Sequence, residues 1–257
     1  MSEKNRDGKR TARERLAVER EKQKAADKRR RALIVGASVV CVLGLAAVIG
    51  VVAANAGKDE STKAGPAVAP SGAQGKDSLA IPVGKDGARS TLTVWEDFRC
   101  PACQAFEAAY RPTLHELTDA GKLRIEYHLV RLIDGNLGGT GSLRAANAAA
   151  CAQDAGKFRD YHDVLFANQP KETDDAFADN GKLIELAGKV KGLDTPAFGE
   201  CVRNGTHDGW VDKSHQAFKS GDFGGTPTVL LDGKNIYEDH TMTPAKLKQL
   251  VEAADRG

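Results

Sequence analysis

One stretch constrains this chain more than any other: Leu92-Thr-Val-Trp-Glu-Asp-Phe98, followed at once by Arg99-Cys100-Pro101-Ala102-Cys103. β-Branched and aromatic residues make its first part a strand. Pro101 then opens a helix, since proline is tolerated at the first helical position, where its missing N–H has no partner to lose. Phe106, Ala109 and Tyr110 continue at i, i+3, i+4 spacing, and Pro112 is expected to kink or divide the helix before Leu114 and Leu117. Two cysteines three apart therefore sit where a strand feeds a helix. There they can close a small disulfide and reopen it. The free N–H groups and positive dipole end of a helix stabilise a thiolate at its first turn. An ordinary thiol, with a pKa of about 8.5, is only a few per cent ionised at pH 7. Cys100 is the expected nucleophile and Cys103 the expected resolving thiol.

The rival for a C-x-x-C pair is half of a zinc site, which needs a second ligand pair such as another C-x-x-C or H-x₃₋₅-H. The sequence has neither, so no metal is expected. Arg99 can add a favourable charge beside the nucleophile, but it reads better as a solvated arginine. Glu96 and Asp97 read as solvated acids or caps of the following helix; the other option is a buried proton acceptor for Cys103. Trp210 and the histidines read as core or surface residues.

Beyond the cysteines, residues 123–133 form the next strand pattern. From 141 to 221 the pattern is helical, with stripes at Phe158, Tyr161 and Leu165, at Leu183, Leu186 and Val190, and at Val211 and Phe218. Strand signals return at Thr228-Val-Leu-Leu231 and Asn235-Ile-Tyr237, flanking the hairpin-favouring Asp232-Gly233. Thr243-Pro244 then opens a terminal helix carrying Leu247, Leu250 and Val251. The order predicts an α/β sheet whose halves are separated by an all-helical insertion.

Gly225-Thr226-Pro227-Thr228 immediately precedes a strand. Together with Trp95-Glu-Asp-Phe-Arg-Cys-Pro-Ala-Cys103 it resembles the thioredoxin superfamily, in particular membrane-tethered or exported DsbA-like thiol–disulfide oxidoreductases. The likeness covers about residues 79–255. It implies a thioredoxin-like fold with an inserted all-helical subdomain, catalysis by Cys100 and Cys103, and a Thr226–Pro227 peptide bond that is cis. It also implies substrate binding at Thr226 and Pro227, and no soluble cofactor. A second bridge between Cys151 and Cys201 follows from relatives that carry one in the helical region; two buried free thiols are the alternative. Pro-Ala stands here in place of the Pro-His of the most strongly oxidising relatives, which bears on redox poise.

The N-terminal quarter has a different character. Residues 1–31 carry 13 Lys/Arg against 6 Asp/Glu, whereas the rest carries 24 against 29. The basic excess is thus confined to a tail, which argues against a nucleic-acid binder. From Ala32 to Ala54 there are 23 residues without a charged side chain, long enough to span a bilayer core of about 30 Å. Lys28, Arg29, Arg30 and Arg31 precede the run and place that end in the cytoplasm. The apolar core is too long for an ordinary signal peptide despite Ala54-Asn55-Ala56, so an uncleaved anchor over 32–56 is expected. Cys41 lies within the span as a small apolar residue. Residues 57–77, rich in Gly, Pro, Ala, Ser and Lys, read as a flexible tether with a reach of roughly 25 Å.

The organisation expected is a basic cytoplasmic tail (1–31), one transmembrane helix, a linker (57–77) and a DsbA-like domain (78–257) outside the cytoplasm. The expected activity is disulfide formation in exported proteins. The resemblance implies reoxidation by a membrane partner of the DsbB or VKOR type. Two other readings stay open: a reductase or isomerase fed by a membrane electron donor, and a tethered binding or chaperone module without turnover.

Overall fold

The computed structural model of the chain describes residues 66–221 and 223–256. The basic tail, the apolar run and residues 57–65 lie outside the described residues. Among those described, no helix is long and apolar enough to cross a membrane.

Five strands, β1 (Ile81–Val83), β2 (Ser90–Glu96), β3 (Leu123–Leu129), β4 (Thr228–Leu231) and β5 (Lys234–Asn235), form one sheet in the order β1-β3-β2-β4-β5. β2 and β3 run parallel, which requires a crossover, and helix α1 (Pro101–Asp119) supplies it. The remaining pairings are antiparallel. β1 was not anticipated from sequence; three residues with a central proline give too short a pattern, and the strand exists through its pairing with β3. The strand expected over 123–133 stops at Leu129, and Leu132–Leu137 forms a short helix, α2.

The insertion contains α3 (Gly141–Asp154), α4 (Phe158–Ala167), α5 (Asn180–Ala187), α6 (Pro196–Asn204) and α7 (Asp208–Ser220), matching the helical block read at 141–221. Its central element is α3, where Ala145, Ala146, Ala148, Ala149, Ala150 and Ala152 are all fully buried. Small side chains let neighbouring helices approach closely, and α4, α6 and α7 pack against this one. Thr195 caps α6 by accepting from the Phe198 N–H, and Pro196 occupies its first turn. A disulfide joins Cys151 of α3 to Cys201 of α6.

The terminal helix α8 (Pro244–Arg256) packs beside α1. α7 reaches the opposite face of the sheet, setting Phe218 against Trp95, whose side chain points away from that of Val94 on β2.

Three expectations are revised. α1 runs unbroken through Pro112, because Phe106 before it and Leu114 and Leu117 after it are buried in one core, outweighing the roughly 3 kcal/mol of a helix-interior proline. The hairpin turn at Asp232-Gly233 forms with both residues at positive φ, 49° and 81°, as a type I′ turn requires. Its second strand, however, is only two residues long, and the Asn235 side chain accepts from the Tyr237 N–H as the chain turns away. Residues 66–77, read as tether, are held on the domain. Asp154 accepts from the Ser71 N–H at 2.7 Å, Gln153 donates to the Ser71 carbonyl at 2.9 Å, and buried His207 donates from Nδ1 to the Val68 carbonyl at 2.8 Å. These side chains come from α3 and the α6–α7 junction, so a Gly/Pro/Ser-rich composition could not reveal them.

Candidate active site

Cys100 is the N-cap residue of α1, with extended backbone angles, and Pro101 takes the first helical position. The antiparallel register pairs Trp95 with Thr228. Two residues further on, that register brings the Gly225-Thr226-Pro227 loop to the mouth of the cysteine loop. There Cys100 Sγ lies 3.2 Å from the Thr226 carbonyl oxygen. The Thr226–Pro227 peptide bond is cis and Pro227 is buried.

Both thiols are free and buried, yet they differ sharply. A hydrogen bond from the Cys103 thiol lowers Cys100 most. Burial opposes it, while the Thr226 side chain and the N–H groups of Cys103 and Ala102 add to it, bringing Cys100 from 9.0 to about 6. Most of this sulfur is therefore thiolate at pH 7. Cys103 moves the other way, well above 9.0: burial is the main cause, followed by its bond to Cys100 and the charges of Cys100 and Glu96. The site thus holds one thiolate and one proton donor to it.

The flanking residues correct the sequence reading. Arg99 is 2% exposed, not solvated; Nη1 stands 2.8 Å from Asp134 and 2.9 Å from Asp175, and the guanidinium also donates to the carbonyls of Gly138 and Glu172. Its charge is committed to those acids and is not among the main causes lowering Cys100. Asp134 also accepts from the N–H groups of Ser142 and Leu143, and Asp175 from those of Thr140 and Gly141, so both acids cap the start of α3. A side chain at Gly141 would collide with the Asp175 carboxylate.

Glu96 and Asp97, expected to be solvated, are fully buried. Asp97 accepts from the N–H groups of Arg99 and Ile133, each at 2.8 Å, and so shapes the cysteine loop. Burial pushes it up to about 7 against those two bonds. Glu96 meets His162 Nε2 of α4 at 2.6 Å. Gln169, just past α4, donates to the carbonyls of Phe98 and Cys100 at 2.9 and 3.0 Å. The helical insertion therefore holds the active loop from several sides.

Among the described residues, two side-chain groups have metal-capable donors, Cys151/Cys201/His207 and Glu96/Glu107/His162. The sulfurs of the first are spent on their disulfide, and neither group includes Cys100 or Cys103.

Residues 77–253 match the sequence model of a family described as thioredoxin. The chain belongs to the thioredoxin family. Within it the protein is a DsbA-like thiol–disulfide oxidoreductase. It is 25% identical over 180 residues to disulfide bond formation protein D of Bacillus subtilis (strain 168), a match covering 68% of this chain and 77% of the relative. The solved structure of oxidized Mtb DsbA is 31% identical, with a TM-score of 0.58, covering 68% of this chain and 92% of that one. Reduced DsbG from Mycobacterium tuberculosis is 30% identical with a TM-score of 0.61, over 72% of this chain and 90% of that one.

Two of the clefts in this DsbA-like protein meet at Tyr237. One, of about 300 Å³, is lined by Phe106, Tyr110, Val229, Ile236, Tyr237 and Met242. The other, of about 320 Å³, runs along Gly224–Thr228 and shares Tyr237. Tyr237 is raised mainly by burial and then by the charges of Cys103 and Cys100, which places it within their field. Gln169, Asp134 and Asp175 had no place in the sequence reading, and His162 entered it only among the histidines read as core or surface residues, of which it is a core one. Only His162 left a trace, as the histidine midway between Phe158 and Phe166 on the buried face of α4.

Proposed function

We propose that this protein forms disulfides in exported proteins by exchange through Cys100 and Cys103. The asymmetry of the two thiols carries the reading. In the oxidised state a substrate thiolate attacks Cys100 Sγ; the Cys100–Cys103 bond breaks and Cys103 leaves with the electron pair. A second substrate thiolate then attacks the substrate sulfur of the mixed disulfide, and Cys100 leaves. Two electrons pass from substrate to dithiol. A thiol that ionises near pH 6 is a good leaving group, and stabilising its thiolate favours the reduced form, which makes the disulfide the stronger oxidant. Thr226 and Pro227, beside the two clefts, suit an extended client segment whose backbone pairs with the loop and whose apolar side chains enter next to Phe106 and Tyr237.

The uncharged run 32–54 behind Lys28–Arg31 supports a single-pass anchor with the catalytic domain outside the cytoplasm. A DsbB- or VKOR-type membrane protein would then restore the disulfide. The test is Cys103→Ala in the producing cells: Cys100 should accumulate mixed disulfides with exported proteins, and Cys100→Ala should capture none. An equal yield from both variants, or a dithiol found mostly reduced in its native compartment, overturns the oxidase reading.

A further inference from the structure

Two glutamine side chains join the dithiol loop to the helical insertion, and they run in opposite directions. Gln104, the residue after Cys103 on α1, donates from Nε2 to the Phe166 carbonyl of α4 at 3.0 Å. Gln169, just past α4, donates from Nε2 to the carbonyls of Phe98 and Cys100 at 2.9 and 3.0 Å. Both partners of Gln169 are acceptors, so the group that faces them is the NH₂ and not the amide oxygen. Its two hydrogens thus hold the carbonyls of the residues on either side of Arg99. The exchange steps above give neither glutamine a role.

We propose that Gln169, supplied by the helical insertion, is a positioning residue for Cys100: it holds the carbonyls of Phe98 and Cys100 against the insertion and so keeps the first N–H groups of α1 on the sulfur. The proposal rests on the exchange reading above and deepens it. The N–H groups of Cys103 and Ala102 are among the causes that bring the Cys100 thiol down. They reach the sulfur because Cys100 is the N-cap residue, with φ −76° and ψ 118°. Any rotation of the Cys100 carbonyl is a change in that ψ, and ψ sets where the sulfur stands over the helix start. The carbonyl is gripped by Gln169 and by the Gln104 N–H at 3.2 Å, while the Cys100 N–H is held by the Asp97 carbonyl at 3.0 Å. The peptide unit before Arg99 is likewise held at both ends, its carbonyl by Gln169 and its N–H by the Asp97 side chain.

The insertion fixes Gln169 in turn. Pro170 disfavours the helical conformation for the residue before it, so α4 ends and the Gln169 side chain leaves the helix axis. Asn168 beside it donates to the Val164 carbonyl at 2.7 Å and accepts from Lys189 at 2.6 Å. Phe98 and Cys100 are both buried, so water is a poor substitute for the amide. Without it the thiolate loses part of its stabilisation. A less stable thiolate favours the disulfide over the dithiol, so Gln169 also contributes to oxidising strength. Gln104 is the natural control: its side chain crosses the same seam but ends on α4, away from the cysteine carbonyls.

The test compares Gln169→Met with Gln104→Met, near-isosteric exchanges that remove the donor and keep the side-chain length. Reduced protein is alkylated with iodoacetamide from pH 4 to 9 and, separately, equilibrated with glutathione. Gln169→Met should slow alkylation of Cys100 below pH 6 by about threefold, as expected for part of one hydrogen bond. It should also shift the glutathione equilibrium about threefold toward the protein disulfide. Gln104→Met should match wild type in both, although the melting temperature falls in both variants. Profiles of Gln169→Met that match wild type, or that Gln104→Met reproduces, overturn the proposal. A second measurement needs no variant. The side-chain amide resonances of Gln169 in wild-type protein should titrate with the Cys100 midpoint when reduced and stay still when oxidised; resonances that do not move in the reduced form overturn it as well. A wild-type Cys100 that alkylates like an unperturbed thiol would instead overturn the exchange reading itself.

Discussion

The described residues contain two cysteine pairs that stand on different helices and have little in common beyond their sulfur. Cys151 and Cys201 lie 50 residues apart, on two packed helices of the insertion, and are joined. Cys100 and Cys103 lie three apart at one helix start and are free. The distant pair closes a long loop and carries no charge. The near pair closes almost none, but gathers N–H groups, a thiol and the Thr226 loop around one sulfur. Spacing and donors thus divide the work: the first pair restrains the chain, and the second holds an electron pair ready.

Breaking the distant pair should have the largest effect on stability. In the chain-entropy model a loop of this length contributes about 4 kcal/mol. Cys151→Ala with Cys201→Ala should therefore lower the melting temperature by about 8–16 °C. If the division holds, the alkylation midpoint of Cys100 does not move. A midpoint that follows the melting temperature would show the two pairs to be coupled. Next in size is Arg99→Met, which leaves Asp134 and Asp175 facing each other without their cation. Breaking a buried pair from one side destabilises by about 3–5 kcal/mol. The lower end is expected, because Asp175 is 32% exposed and regains water. Denaturant unfolding measures it. Since Arg99 is spent on these acids, the Cys100 midpoint should again stay in place.

These two predictions separate what the sequence made legible from what it hid. The strand before Cys100, the helical block and the Thr226-Pro227 loop were readable because each rests on a local pattern: β-branched runs, a 3.6-residue period, a proline before a strand. The surroundings of the dithiol were not. Arg99 is satisfied by residues 35 and 76 positions away, and Glu96 by a histidine 66 positions away. A charged residue reads as solvated until its partner is known, and no local pattern names a partner. The buried run at the end of β2, where Val94, Trp95 and Glu96 are covered in succession, shows why: the sheet is covered on both faces there, so alternation between core and solvent fails.

A smaller effect comes from pH. Cys100 ionises near pH 6 in the reduced fold and near 9.0 when unpaired. Its depressed value contributes stability that is fully present above about pH 9 and is lost as pH falls through about 6. The oxidised protein has no such group. Reduced protein should therefore gain stability relative to oxidised protein as pH rises from 6 to 9, seen as a changing gap between two melting curves. A gap constant over that range would mean that Cys100 titrates like an ordinary thiol.

The smallest predicted effect is the sharpest probe of what surrounds the sulfur. Thr226 offers Cys100 two oxygens of opposite character. Its carbonyl accepts from the thiol at 3.2 Å, whereas its side-chain hydroxyl can donate to the thiolate. Ionisation silences the first and engages the second. Thr226→Val keeps the shape, the backbone and the carbonyl and removes only the donor. A hydrogen bond of about 1 kcal/mol corresponds to somewhat under one pKa unit. The alkylation midpoint should therefore rise from about 6 by roughly half a unit to one unit, with melting of the oxidised protein nearly unchanged. Thr226→Ser, which keeps a hydroxyl, should restore the midpoint. A midpoint unmoved by valine would assign the lowering to Cys103 and the α1 N–H groups alone, and a change in oxidised stability would move Thr226 from the reactive pair to the restraining one.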